Sequence, residues 1–151
     1  MAILTISVLL FAVFIADGAT ESKCGCPPDW EGLLNRCYFF VSTLQTWAEA
    51  EKKCLTLGGN LASVHNAAED DFLKKLANNT RIWIGAYDAA QDGLWLWSDG
   101  SKFDYSGWIS GEPNSYQGQS EDCGEIINAD GWNDSVCSLK FASVCSLNLP
   151  K

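Results

Sequence analysis

The sequence predicts a single α+β domain stapled by disulfides. Three observations carry that expectation. Helical periodicity is confined to two stretches in the first half, whereas from "RIWIGAYD" at 81–88 onward the chain breaks into short aromatic and β-branched runs separated by Gly, Asp, Asn and Ser. All seven cysteines follow residue 23. Their spacing, one C-x-C at Cys24–Cys26 and the rest far apart, gives no paired zinc-ligand pattern and suits disulfides in an oxidising compartment.

The chain opens with "MAILTISVLLFAVFIADGATESK", an apolar run from Ala2 to Ala16 followed by small and polar residues. This reads as a secretory signal peptide over 1–18, cleaved near Gly18 or Ala19, because the run is short for a membrane span. No Lys or Arg precedes the run, so an uncleaved anchor is the alternative. What remains is about 130 residues, the size of one domain, here 24–149. The odd cysteine count leaves at least one thiol without an intramolecular partner. Cys24, beside the new N-terminus, is assigned that place, either joining a second chain as a disulfide-linked homodimer or capped by a small thiol. The formal charge is −9. Such an acidic surface excludes nucleic acid and anionic membrane as natural partners and suits a calcium ion and neutral ligands.

"CGCPPDWEGLLNRCYFF" sets Cys26 and Cys37 around a Pro-Pro turn and runs into a strand at Tyr38 to Val41, a hairpin stapled by its own disulfide. "STLQTWAEAEKKCLTLGG" repeats Trp47, Ala50, Cys54 and Leu57 at helical spacing and stops at Gly58-Gly59. "NAAEDDFLKKLANN" offers Asn66 as N-cap, with Glu69, Asp70 and Asp71 in the early turns and Lys74 and Lys75 late, while Phe72, Leu73 and Leu76 face inward. Further on, "LWLWSDGSKFDYSGW" and "CGEIINADGWNDSVC" each alternate around an Asp-Gly turn, at 99–100 and 130–131, and "FASVCSL" closes the domain as a last strand.

Chemistry concentrates in "GEPNSYQGQSEDCGEIINADGWNDSVC", residues 111–137. Glu112, Asn114, Glu121, Asn133 and Asp134 are the oxygen donors that a hard cation such as calcium takes, six to eight at flexible angles. Three carboxylates and two amides overcompensate one divalent charge and leave positions for an uncharged polyol, whose hydroxyls can donate to the carboxylates and accept from Asn NH2 groups. A cis peptide before Pro113 would turn Glu112 and Asn114 toward one point. The bland reading is a polar loop rich in Asn and Asp for turn reasons. No EF-hand pattern is present, so any cage is built from several loops.

"WIGAYD" at 83–88, "EPN" at 112–114, "EDC" at 121–123, "WND" at 132–134 and the cysteine series from Cys26 to Cys145 together resemble the C-type lectin domain, over about Cys24 to Leu149. The likeness is to small secreted single-domain lectins of the fish type, related to type II antifreeze proteins. It implies a double-loop domain with two helices and two small antiparallel sheets, and disulfides Cys26–Cys37, Cys54–Cys145 and Cys123–Cys137. It also implies calcium held by Glu112, Asn114, Glu121, Asn133 and Asp134, the last also through its backbone carbonyl, with Pro113 cis. In this family EPN goes with mannose-type sugars and QPD with galactose. Two departures stand out. The loop "SYQGQS" is one residue longer than in typical mannose-type members, and Ser115 replaces an acidic ligand of the auxiliary calcium site, which would use Asp88, Asp92 and Asp122.

The expected function is therefore a secreted calcium-dependent lectin for mannose-type glycans on microbial or cell surfaces, serving innate defence, without catalysis or membrane insertion. An ice-binding protein on the same fold is the alternative, but ice calls for a flat, weakly charged face and no regular threonine array is present. A calcium-independent, protein-binding member of the family would have lost these ligands. An enzyme has least support: His65 is the single histidine, and no nucleophile motif accompanies it. Asn78-Asn79-Thr80 is a glycosylation sequon at an exposed helix end, whereas Asn133-Asp134-Ser135 fits the pattern but lies in the cage. Trp95, Trp97, Trp108 and Trp132 read mainly as core.

Overall fold

A computed structural model describes residues 25–114 and 117–150. The signal segment, Cys24 and Ser115 lie outside the described residues. Ten elements follow in order: β1 (Glu31–Leu33), β2 (Arg36–Gln45), α1 (Trp47–Thr56), β3 (Asn60–Leu61), α2 (Ala67–Ala77), β4 (Ile82–Tyr87), β5 (Leu96–Trp97), β6 (Cys123–Asn128), β7 (Gly131–Ser135) and β8 (Phe141–Asn148). The strand order is β1-β2-β8-β4-β6-β7, with β3 added on β8 and β5 on β4. Two antiparallel groups are thus present, and a short parallel pairing, Ile82 with Ala142 and Trp83 with Ser143, joins them into one mixed sheet.

Local signals place both helices. Thr46 caps α1 in a reciprocal box: its hydroxyl accepts the Glu49 N–H at 3.3 Å and its own N–H donates to Glu49 Oε2 at 2.9 Å. Those bonds hold the Glu49 carboxyl below its usual range. Asn66 caps α2 by accepting the Glu69 N–H at 3.0 Å, and Asn78 ends it in the left-handed region at φ 47°. Ala50 and Cys54 turn inward from α1, and Cys54 is disulfide-bonded to Cys145 of β8. Cys26–Cys37 and Cys123–Cys137 are the other two bridges, the same three pairs that the resemblance implies.

Two hydrophobic clusters sandwich the sheet. One gathers Tyr38, Leu73, Ile82, Ile84, Trp97 and Trp132 under α2; the other gathers Trp30, Ala50, Cys54, Leu61, Trp83 and Cys145 under α1. Trp83, Trp97 and Trp132 are buried, and Trp95 packs on Trp108 in a tilted pair with ring centroids 4.6 Å apart.

Two sequence readings gain detail from the structure. Glu69 and Asp70 stand in the first turn of α2 as expected, and both are buried. Glu69 takes Arg36 Nη1 at 3.0 Å and the His65 N–H at 2.8 Å, while Asp70 takes Lys74 Nζ and Trp132 Nε1, each at 2.7 Å. The Asp99-Gly100 turn is formed, with the Gly100 N–H on Trp97 O at 3.0 Å, but no return strand among the described residues makes it a hairpin. After the two-residue β5 the chain follows side-chain bonds instead of a ladder, because Asp99 accepts the Ser101 N–H at 2.9 Å and is bonded by the hydroxyls of Ser63 and Ser101. Phe103 and Tyr105 then pack on Trp97 and Trp132. His65, bonded to Asp104 at 2.8 Å, belongs to this same network, in keeping with a structural role.

Candidate functional site

The β6–β7 hairpin is the platform of the site. Asn128 and Gly131 close it around a side-chain turn, with the Asp130 N–H donated to Asn128 Oδ1 at 2.8 Å. In register, Gly124 faces Asp134 and Glu125 faces Asn133, and the Cys123–Cys137 bridge ties the open end. The loop carrying Glu112 and Asn114 is hung on β7 by main-chain bonds: Trp132 N to Gly107 O at 2.9 Å and Ile109 N to Trp132 O at 3.0 Å. A side chain at 107 would meet the Trp132 indole at 2.9 Å, so only glycine permits that approach. A turn from Ile109 to Glu112, closed at 2.9 Å, then aims the chain back at the platform.

The consequence is contact between loop and strand. Asn114 donates its backbone N–H to Asp134 Oδ1 at 3.0 Å and its amide Nδ2 to Glu112 Oε2. The Glu112–Pro113 peptide is cis. Burial raises the Glu112 carboxyl above its usual range, and Asp134, in hydrogen-bond contact, and Glu121 push it further in the same direction. Asn114, Glu121, Asp122, Asp134 and Asp92 line one cleft of about 260 Å³ with Gly118, Gln119 and Ser120.

Asp88, Asp92 and Asp122 lie alongside. The Asp88 N–H reaches Asp122 O at 3.1 Å, and its Oδ2 accepts the Gly93 N–H at 2.8 Å. Its Oδ1 is buried with no hydrogen-bond partner among the described residues. Burial raises this carboxyl, the Gly93 bond opposes the rise, and the charges of Asp122, Asp92 and Asp134 add to it. Asp134 therefore acts electrostatically on both acid groups. None of Glu112, Asp88 and Asp134 pairs with a lysine or arginine among the described residues. Opposed carboxylates and an orphaned buried oxygen are the donor chemistry that a hard cation fits. As they stand, no three His, Cys, Asp or Glu side chains of the described residues converge into a formed metal site.

Asn133 sits half-buried on the platform, and its Nδ2 donates to Glu125 Oε1 at 3.1 Å and to the Asp134 backbone carbonyl. Glu125, wholly buried, is held by Arg81, whose Nε donates to Oε2 at 2.8 Å and whose Nη2 bonds Oε1. Sequence reasoning passed over both residues. A lone Glu inside the apolar run "CGEIIN" was the available signal, since a charge there requires a buried partner. Asn78 is exposed at the end of α2, as expected.

Comparison with known proteins bears on the whole chain. A family model described as Lectin C-type domain matches residues 43–147. Ladderlectin of Oncorhynchus mykiss is 40% identical over 95% of this chain and 92% of its own length. The galactose-specific lectin nattectin of Thalassophryne nattereri is 42% identical, over 93% and 94% respectively. A type-2 ice-structuring protein of Hemitripterus americanus is 32% identical, over 95% and 98%. Among solved structures, the C-type carbohydrate-recognition domain of cow CD23, determined in the presence of a GlcNAc2Man3 oligosaccharide, superposes with a TM-score of 0.79. It is 36% identical and covers 85% of this chain and 100% of that one.

Proposed function

The chain belongs to the C-type lectin domain family, and on that premise we propose that it is a secreted, calcium-dependent carbohydrate-binding protein, not an enzyme. One observation carries the reading: Glu112, Glu121 and Asp134 set their carboxylates against one another beside Asn114, at the edge of an open cleft. Glu112, Asn114, Glu121, Asn133 and Asp134 would hold the ion. When bound, calcium supplies coordination positions that two neighbouring sugar hydroxyls can fill. Glu112 and Glu121 accept hydrogen bonds from those hydroxyls. Asn114, with one amide hydrogen turned to Glu112, has the other for donation. Asp88, Asp92 and Asp122 are the ligands proposed for a second ion, and the orphaned Asp88 oxygen is the support for it.

The EPN triplet at 112–114 favours mannose-type glycans on microbial or cell surfaces, which fits a role in innate defence. A galactose reading is favoured instead by the specificity named for nattectin. The ice-binding alternative is the weaker one, because the site is an acidic cleft and not a flat, weakly charged face. Cleavage of a signal peptide at 1–18, a homodimer through Cys24 and a glycan on Asn78 complete the proposal. Pairing sites in a dimer strengthens weak single-site sugar binding.

Isothermal titration with methyl mannoside and methyl galactoside, each in calcium and in EDTA, tests this. Mannoside binding that EDTA abolishes and Glu112→Gln weakens is the expected result. Galactoside preference would overturn the sugar class and keep the calcium mechanism, while calcium uptake with no response to either sugar would remove the lectin reading.

A further inference from the structure

We propose that Glu125 and Arg81 are positioning residues that fix the amide of Asn133 so that it offers its carbonyl oxygen, and not its NH2 group, to a bound cation. This rests on the calcium reading above and adds two residues to it that lie outside the ligand set.

The argument is one of hydrogen count. An ionised carboxylate only accepts, and so does a backbone carbonyl. Fully buried Glu125 takes an Arg81 guanidinium donor on each of its two oxygens, so both oxygens act as acceptors, and the guanidinium itself lies 4.4 Å over the Phe141 ring. The Asn133 atom that meets both Glu125 Oε1 and the Asp134 carbonyl must therefore be nitrogen. An amide NH2 carries two hydrogens, and these two acceptors use them both. The side-chain oxygen is what remains for a cation. Register supports the assignment, since Glu125 and Asn133 are direct cross-strand partners between β6 and β7 and cannot drift apart while the hairpin is intact.

A neighbour behind a metal ligand governs affinity by holding that ligand in its useful orientation, and losing it weakens metal binding about 10- to 100-fold. Glu125→Leu should lower calcium affinity by that factor in titration calorimetry, against unchanged affinity for a control such as Glu49→Gln. Glu125→Gln should fall between Glu125→Leu and the wild type, because one amide cannot accept from Arg81 and Asn133 with equal geometry. In calcium-free protein, the Asn133 side-chain NH2 signals in a 1H–15N spectrum should be shifted downfield and slow to exchange, and should lose both properties in Glu125→Leu. If Glu125→Leu alone does not fold, Arg81→Leu with Glu125→Leu replaces the buried pair by apolar groups and carries the same expectation.

Wild-type calcium binding matched by a folded Glu125→Leu, with Asn133 signals unchanged, would overturn the positioning role alone. Failure of the wild-type chain to bind calcium at all would overturn the calcium reading and this inference with it.

Discussion

Two sets of acids in this molecule, one buried around α2 and one buried or half-buried in the long loops, are treated in opposite ways. Around α2, Glu69 faces Arg36 and Asp70 faces Lys74 and Trp132. In the long loops, Glu112 faces Asp134 and Glu121, and Asp88 faces Asp122, Asp92 and Asp134. The first set has its countercharge within the chain, whereas Glu112, Asp88 and Asp134 meet no lysine or arginine among the described residues. Burying a charge is tolerated when a partner is supplied, so the scaffold acids fasten α2 to β2 and β7, whereas on the proposed reading the loop acids take their partner from outside. The same residue type serves stability in one half and, on the proposed reading, binding in the other, and the deciding quantity is the sign of the nearest neighbour.

The largest expected effect falls on the scaffold. Glu69→Ala leaves buried Arg36 with only Asp99, 3.9 Å away, as countercharge and frees the His65 N–H, and should cost about 3 kcal/mol in urea unfolding, equally with calcium and with EDTA. A loss that disappeared in calcium would break the division between the two sets.

Saturating calcium should come next. At a free concentration about 100 times its Kd it adds about 2.7 kcal/mol, read as a rise in the unfolding midpoint. Its pH dependence has a fixed sign. Glu112 and Asp88 are held above the ordinary carboxylate value, so in EDTA their contribution to stability is present below about pH 4 and is lost as pH rises through their raised values. With calcium the slope reverses, since the ion takes the ionised form. The difference between wild type and Glu112→Gln, followed from pH 4 to 7 in each buffer, isolates the Glu112 share of this slope from the other carboxylates.

Smaller still is Lys74→Ala. Asp70 keeps the Trp132 N–H, so a loss of about 1 kcal/mol is expected by thermal unfolding. The smallest effect on apo stability is Asp134→Asn, which keeps an oxygen for the Asn114 N–H and removes one of the opposed charges. Its stability in EDTA should stay within about 0.5 kcal/mol of wild type or rise, while calorimetric calcium uptake is lost. A large apo loss would mean that Asp134 is scaffold after all.

Much of this contrast can be read along the chain and some of it cannot. The caps at Thr46 and Asn66, the two helical periods, the Asp130-Gly131 hairpin and the donor-rich run from 111 to 137 are signals confined to a few neighbouring residues. The Asp99-Gly100 hairpin failed although its alternation looked the same, because Ser63, 36 residues earlier, helps draw Asp99 out of a ladder. Arg81 and Glu125, 44 residues apart, gave no joint signal at all.

The sequence alone determined an α+β, disulfide-stapled domain, the kinds of oxygen donor available and, through motif order, the family. Those features depend on local backbone preference and residue chemistry, which travel with the chain. Only tertiary structure decided which acids meet a cation of the protein and which meet one another. Electrostatic pairing depends on separation through space, and the folding of α2 against β2 and of the 107–114 loop against β7 sets that separation.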